Sequence, residues 1–186
     1  MRKIIVSNLI TIDGYFEGLN QDLSWFVTGN DFFDYAVKQL DEVDTILFGR
    51  TTYQQMAAFW PDAKTETAAL AAIKNKMNSL QKIVFSKTLK KAEWNNTRLI
   101  REHITDEIIK LKQQPGKDIV IFGSGTIVSE LTALKLIDEY RLIVNPVILS
   151  SGNPLFKSIN EKVNLRLINM KVLASGSVIM YYQREM

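Results

Sequence analysis

The sequence predicts an α/β fold in three layers. A central, mostly parallel mixed sheet of about eight strands lies between helices and ends in a C-terminal antiparallel hairpin. Two observations carry this. Short runs rich in Ile, Val and Leu alternate with stretches whose apolar residues recur at helical spacing. The chain then finishes in strand-like segments with no helix between them, the last pair joined across Ser175-Gly176-Ser177. Alternation implies parallel strands with crossover helices on both faces, and the terminal pair implies an antiparallel edge. No Pro/Gly/Ser-rich linker interrupts the pattern, so residues 1–186 read as a single domain.

Residues 3 to 10 form a continuous apolar run, as expected of a strand buried on both faces. Asp13-Gly14 makes a turn, and residues 15 to 30 mix Gly, Asn, Gln and aromatics without a period, as a functional loop does. Asp31 is placed to cap a helix running to Leu40, with Phe32, Phe33, Ala36, Val37 and Leu40 on one face. A strand over 45 to 48, a turn at Gly49-Arg50 and a helix over 51 to 59 follow. Residues 65 to 79 are helical by composition, and 82 to 85 and 97 to 101 are strands. Thr105 is expected to cap a helix whose first turn carries Asp106 and Glu107, charges that suit the helix dipole, and Pro115-Gly116 stops it. A strand from 119 leads through Gly123-Ser124-Gly125 into a helix to about 135. Strands over 139 to 149, 164 to 173 and 177 to 183 complete the chain.

Hydrophobic residues make up 46% of the chain and charged residues 23%, an ordinary globular balance. The net charge of +3 is scattered, and Lys87, Lys90 and Lys91 are the nearest approach to a basic cluster. That is too little to point to nucleic acid. The absence of cysteine excludes disulfides, thiolate metal sites and a Cys nucleophile. No metal site is expected, because His103 is the only histidine and reads as a surface residue. The N-terminal apolar run is too short to span a membrane, so the protein is expected to be cytoplasmic.

Two glycine junctions between strand and helix are candidate anion sites. A helix start offers unpaired N–H groups and a partial positive charge, and glycine permits close backbone approach. Gly123-Ser124-Gly125-Thr126-Ile127 lacks the third glycine of the dinucleotide fingerprint and is not a P-loop. Alone it reads equally well as a phosphate cradle or a tight corner. Gly49-Arg50-Thr51-Thr52 is a second such junction, with a guanidinium able to grip a phosphate and hydroxyls able to cap a helix. Two helix starts on one sheet edge suit a dinucleotide. Ser86-Lys87, at another strand end, could meet a ribose 2′-phosphate or be an exposed turn. Asp13, Asp31, Asp34 and the loop residue Glu17 are the possible acids for holding or delivering a proton, each with a structural alternative.

The stretches TIDGYFEG, FGRTTYQQM, FWPDA, KIVFSKTL, IVIFGSGTIVSEL, LIDEYRLIVNPVIL and GNPLF, in this order, resemble the dihydrofolate reductase fold. The nearer resemblance is to the reductase domain of the bifunctional riboflavin-biosynthesis deaminase–reductase and its single-domain bacterial relatives. It spans nearly the whole chain and implies an NADPH-dependent reductase acting on a small heterocycle, with 5-amino-6-(5-phosphoribosylamino)uracil the leading substrate. It assigns the pyrophosphate to Gly123, Ser124, Gly125, Thr126 and Ile127, where dihydrofolate reductases carry a Gly-Gly pair joined by a cis peptide. It gives Gly49, Arg50, Thr51 and Thr52 to the other phosphate turn, and Ser86 and Lys87 to the adenosine ribose phosphate. The loop from Gly14 to Trp25 would cover the nicotinamide. Asp13 and Asp31 become the candidate catalytic carboxylates, and Trp25, Asp34 and Tyr53 the substrate contacts. A homodimer is implied as well.

The chain departs from these patterns in three places. Spacing from Trp25 selects Asp31 as the acid on the first helix, whereas spacing back from Gly49 selects Phe33 or Asp34. Thr11-Ile12 replaces Ser-Leu before Asp13-Gly14, and Leu149-Ser150-Ser151-Gly152 lacks the first glycine of Leu-Gly-x-Gly. No deaminase-like segment is present. Dihydrofolate reduction, or nucleotide binding without catalysis in a dimeric scaffold, are the alternative functions.

Overall fold

A computed structural model describes residues 1–185. Its main sheet has eight strands in the order β5-β4-β3-β6-β1-β7-β10-β9. They are β1 (Ile4–Thr11), β3 (Val43–Gly49), β4 (Gln81–Phe85), β5 (Thr97–Ile100), β6 (Asp118–Phe122), β7 (Glu139–Asn145), β9 (Leu165–Val172) and β10 (Val178–Arg184). All neighbours run parallel except β10, which is antiparallel to both β7 and β9. The mixed sheet with its terminal hairpin is the one the sequence predicts. A separate two-stranded sheet pairs β2 (Tyr15–Glu17) with β8 (Asn153–Pro154).

The alternation of side chains along each strand builds the three layers. On β3, Leu47 joins one apolar cluster with Ile4, Val6, Ile119 and Ile121, under α4 (Ile104–Gln113) and α5 (Gly125–Ala133). Ile46 and Phe48 face the other way. They pack with Val84 and Val120 against α1 (Asn30–Glu42), α2 (Arg50–Phe59) and α3 (Ala68–Ser79). Central strands lined on both sides in this way read as unbroken apolar runs.

Lys82 is an unexpected core member. It is 1% exposed, and its Nζ donates to the carbonyls of Met77, Asn78 and Leu80 at 2.9, 3.1 and 2.8 Å, closing the C-terminus of α3. The ammonium also lies 4.5 Å over the Trp94 ring. Burial pulls its pKa down to about 8, which leaves it charged at neutral pH.

Several boundaries differ from expectation. β7 stops at Asn145, because Pro146 cannot donate to the ladder. Asp31 is not the cap of α1. Gly29 holds that position without a side-chain bond, and Asp31 sits in the first turn. Thr105 likewise lies inside α4, preceded at the cap by His103 in a left-handed conformation. α3 begins at Ala68, where the Thr67 hydroxyl accepts from the Leu70 amide at 3.2 Å. The expected loop 15 to 30 contains β2 and a short 3-10 turn, Leu19–Gln21.

Candidate functional site

β3 and β6 are adjacent and parallel, so their carboxyl ends release the chain at the same edge. Gly49 leads directly into α2 and Gly123-Ser124 into α5, which sets two helix N-termini side by side. The two turns interlock. The Ser124 amide donates to Thr52 Oγ1 at 3.0 Å. A Cβ on Gly123 would stand 2.6 and 2.7 Å from Thr52 Cγ2 and Oγ1, and one on Gly49 would overlap Ser124 Oγ and stand 2.9 Å from its Cβ. Gly123 and Ser124 both have left-handed backbones, with φ of 64° and 56°. The peptide between them is trans. Neither helix start is capped by a side chain, which leaves first-turn amides without an intrahelical partner.

Above this edge lies a cavity of about 410 Å³. Gly49, Arg50, Thr51, Thr52, Ser124, Gly125, Thr126 and Ile127 all line it, so the structure brings together residues from the two predicted turns. The small β2–β8 sheet roofs it. A Cβ on Gly125 would meet Phe16 Cε1 at 2.9 Å and the Pro154 and Leu155 carbonyls at 3.2 Å, so that roof sits directly on the start of α5. Arg50 reaches outward, and its Nη1 donates to Thr88 Oγ1 at 2.8 Å, which carries the guanidinium to the end of β4. Ser86 is there, its hydroxyl accepting from the Thr88 and Leu89 amides at 3.2 and 2.9 Å, followed by the exposed Lys87. Neither Ser86 nor Lys87 lines the cavity; both stand beyond its rim.

The predicted substrate residues fall elsewhere. Asp13 is exposed and accepts from Thr11 Oγ1 at 2.6 Å and from the Leu149 and Ser150 amides at 3.3 and 2.8 Å. The Thr11 hydroxyl, followed by the Ser150 and Leu149 amides, holds its carboxyl below the ordinary carboxylate value. The Asp31 carboxylate accepts from the Ala174 amide at 2.6 Å and so pins α1 to the β9–β10 turn, while Asp34 is exposed. Trp25 is buried, its Nε1 donating to the Asp22 carbonyl at 3.2 Å. Tyr53 belongs to the core. It packs against Phe48 and Trp94, and its hydroxyl accepts from the Trp94 amide at 3.0 Å. None of these five lines the cavity.

Of the acids weighed from sequence, it is Glu17 that faces the cavity. The residue is 6% exposed, and its carboxylate accepts from Asn153 Nδ2 at 2.6 Å and Gln55 Nε2 at 3.3 Å. Phe16, Asn153 and Lys157 also line the cavity and were not foreseen. The only signal for the first two was their presence inside TIDGYFEG and GNPLF. Lys157 had none.

The eight-stranded mixed sheet with its terminal antiparallel hairpin has the dihydrofolate reductase-like α/β fold of the solved structures it superposes on. Within that class, residues 2–180 match the RibD C-terminal domain, and the chain belongs to that family. The uncharacterised protein YyaP of Bacillus subtilis (strain 168) is 34% identical over 186 residues, covering 97% of this chain and 94% of that protein. A crystal structure from Shewanella sp. PV-4, provisionally assigned to riboflavin biosynthesis, superposes with a TM-score of 0.80 at 21% identity over 99% of each chain. Enterococcus faecalis dihydrofolate reductase, solved with NADP(H), superposes with a TM-score of 0.65 at 14% identity over 99% of this chain and 97% of that one. At these two identities the likeness is one of fold.

Proposed function

We propose that this protein is an NADPH-dependent reductase of the riboflavin-biosynthesis type, with 5-amino-6-(5-phosphoribosylamino)uracil as the leading substrate. The observation that carries the reading is the pair of uncapped helix starts at the interlocked Gly49 and Gly123-Ser124 turns. Two helix N-termini set side by side by turns whose glycines let them interlock fit a pyrophosphate. Arg50, with Ser86 and Lys87 beside Thr88, fits a further phosphate on a ribose and would select NADPH over NADH. When bound, the cofactor supplies the hydride, and the protein supplies orientation and exclusion of water.

Asp13 is firmly ionised and therefore suits charge stabilisation better than proton donation. Asp31 and Tyr53 keep structural roles. A dihydrofolate reductase activity is disfavoured, because that chemistry asks for an acid from the first helix. Here Asp31 is engaged by the hairpin and Asp34 is exposed. The reading includes a cytoplasmic homodimer. Leu167, Ile168, Met170 and Val172 stand exposed on the edge strand β9, an apolar surface a second copy could cover.

The test is consumption of NADPH with the pyrimidine substrate and, separately, with dihydrofolate. Oxidation with the pyrimidine alone supports the proposal. Oxidation with dihydrofolate alone, or with neither while NADPH binds, overturns the substrate assignment.

A further inference from the structure

We propose that Glu17 reads a ribose of the ligand, its carboxylate accepting from the vicinal hydroxyls; this rests on the cavity being a nucleotide site. Glu17 is nearly buried, yet among the described residues no ion pair reaches it. A buried carboxylate without a cation is costly unless its lone pairs are satisfied. An ionised carboxylate has about four acceptor sites, and the amides of Asn153 and Gln55 occupy two. Glu17 lines the cavity, so the remaining sites are left for a ligand there to meet. A partner there must donate hydrogen bonds, and a phosphate, which carries only acceptors and like charge, is excluded from that spot.

The position narrows the donor. Glu17 follows Phe16, whose ring lies against Gly125 at the start of α5. Glu17 lines the same cavity as Gly49, Ser124 and Gly125, so it shares that space with the two helix starts. In a nucleotide the group one ester bond from the phosphate is the ribose, and a carboxylate held near a phosphate site is an established partner for its hydroxyls. The mounting is rigid. Glu17 pairs with Asn153 across the β2–β8 ladder. Gly152, with φ of 147°, brings its backbone so close to the Glu17 carbonyl that a Cβ would collide with it. Gln55 comes from α2, the helix of the other phosphate turn, and donates to Gln21 Oε1 at 2.9 Å as well. The ribose so recognised is either the cofactor's second ribose, the one beside the nicotinamide whose two hydroxyls are free, or the phosphoribosyl group of the substrate.

The experiment titrates NADPH, adenosine 2′,5′-bisphosphate and ribose 5-phosphate into the full chain and into Glu17→Gln, read by nicotinamide fluorescence and calorimetry. The variant keeps the size and loses the charge. NADPH weakened about tenfold or more, with adenosine 2′,5′-bisphosphate unchanged, supports recognition of the cofactor's second ribose. Ribose 5-phosphate weakened with NADPH unchanged supports recognition of the substrate's. Unchanged affinity for both overturns the inference and leaves the cofactor reading standing. A wild-type chain that binds none of the probes overturns both. Should Glu17→Gln fail to fold, Glu17→Asp, which keeps the charge and withdraws it by one methylene, serves in its place. It supports the inference if either ribose-bearing probe weakens and overturns it if neither does.

Discussion

Gly49→Ala is the sharpest structural test of the paired turns. A methyl at Gly49 would overlap Ser124 Oγ and stand 2.9 Å from Ser124 Cβ, where ordinary contacts begin at 3.4 Å, so about 0.5 Å must be absorbed. The Oγ can rotate away, but the Cβ cannot move without Ser124, whose backbone is already left-handed at φ 56°. Ser124 is in turn held by its amide bond to Thr52. Overpacking of this kind costs ~1–3 kcal/mol. For a domain of this size each kcal/mol lowers the melting temperature by about 2–4 °C. Ser124→Gly removes both clashing atoms and relaxes the left-handed backbone, so the double variant should recover most of the loss. The assay is urea and thermal denaturation of wild type, both single variants and the double. A Gly49→Ala chain as stable as wild type would refute the interlock. A loss that Ser124→Gly does not relieve would show that the clash lies elsewhere.

Lys82→Met should lower the unfolding free energy by ~2–4 kcal/mol in urea titrations, since one buried and two half-buried carbonyls lose their donor; a change under about 0.5 kcal/mol would contradict this. Asp13 has its folded pKa below the unfolded 3.8, so its contribution is present above that pH and is lost as pH falls through the folded value. The gap in melting temperature between wild type and Asp13→Asn should therefore close below about pH 3.8, and a constant gap would contradict that. The chain is expected to sediment as a dimer and Met170→Lys as a monomer, because Met170 is 56% exposed on the edge strand; an unchanged dimer would put the interface elsewhere.

The layers were legible because buried parallel strands and amphipathic helices differ in apolar period, as Thr45–Phe48 and 31 to 40 do. The two glycine turns were legible because glycine between an apolar run and a helical pattern marks a tight strand–helix junction. The acids were harder. An aspartate near a helix start looks the same in sequence whether it caps the helix, faces a ligand or, as Asp31 does, grips a distant hairpin amide. Tyr53 reads as a pocket wall until its hydroxyl is seen to meet the Trp94 amide, 41 residues away. Asn153 enters the cavity from a two-residue strand, and Lys157 from the irregular chain after it, which no periodicity could reveal. Glu17 was visible as an acid, but its orientation depends on pairing with Asn153, 136 residues on.

The central claim is that the paired turns hold NADPH. Titration of NADPH and NADH into the protein and into Arg50→Ala, followed by nicotinamide fluorescence, tests it most directly. The account predicts micromolar or tighter binding of NADPH, weaker binding of NADH, and a preference that Arg50→Ala largely removes. No binding of either nucleotide at high micromolar concentration would contradict it.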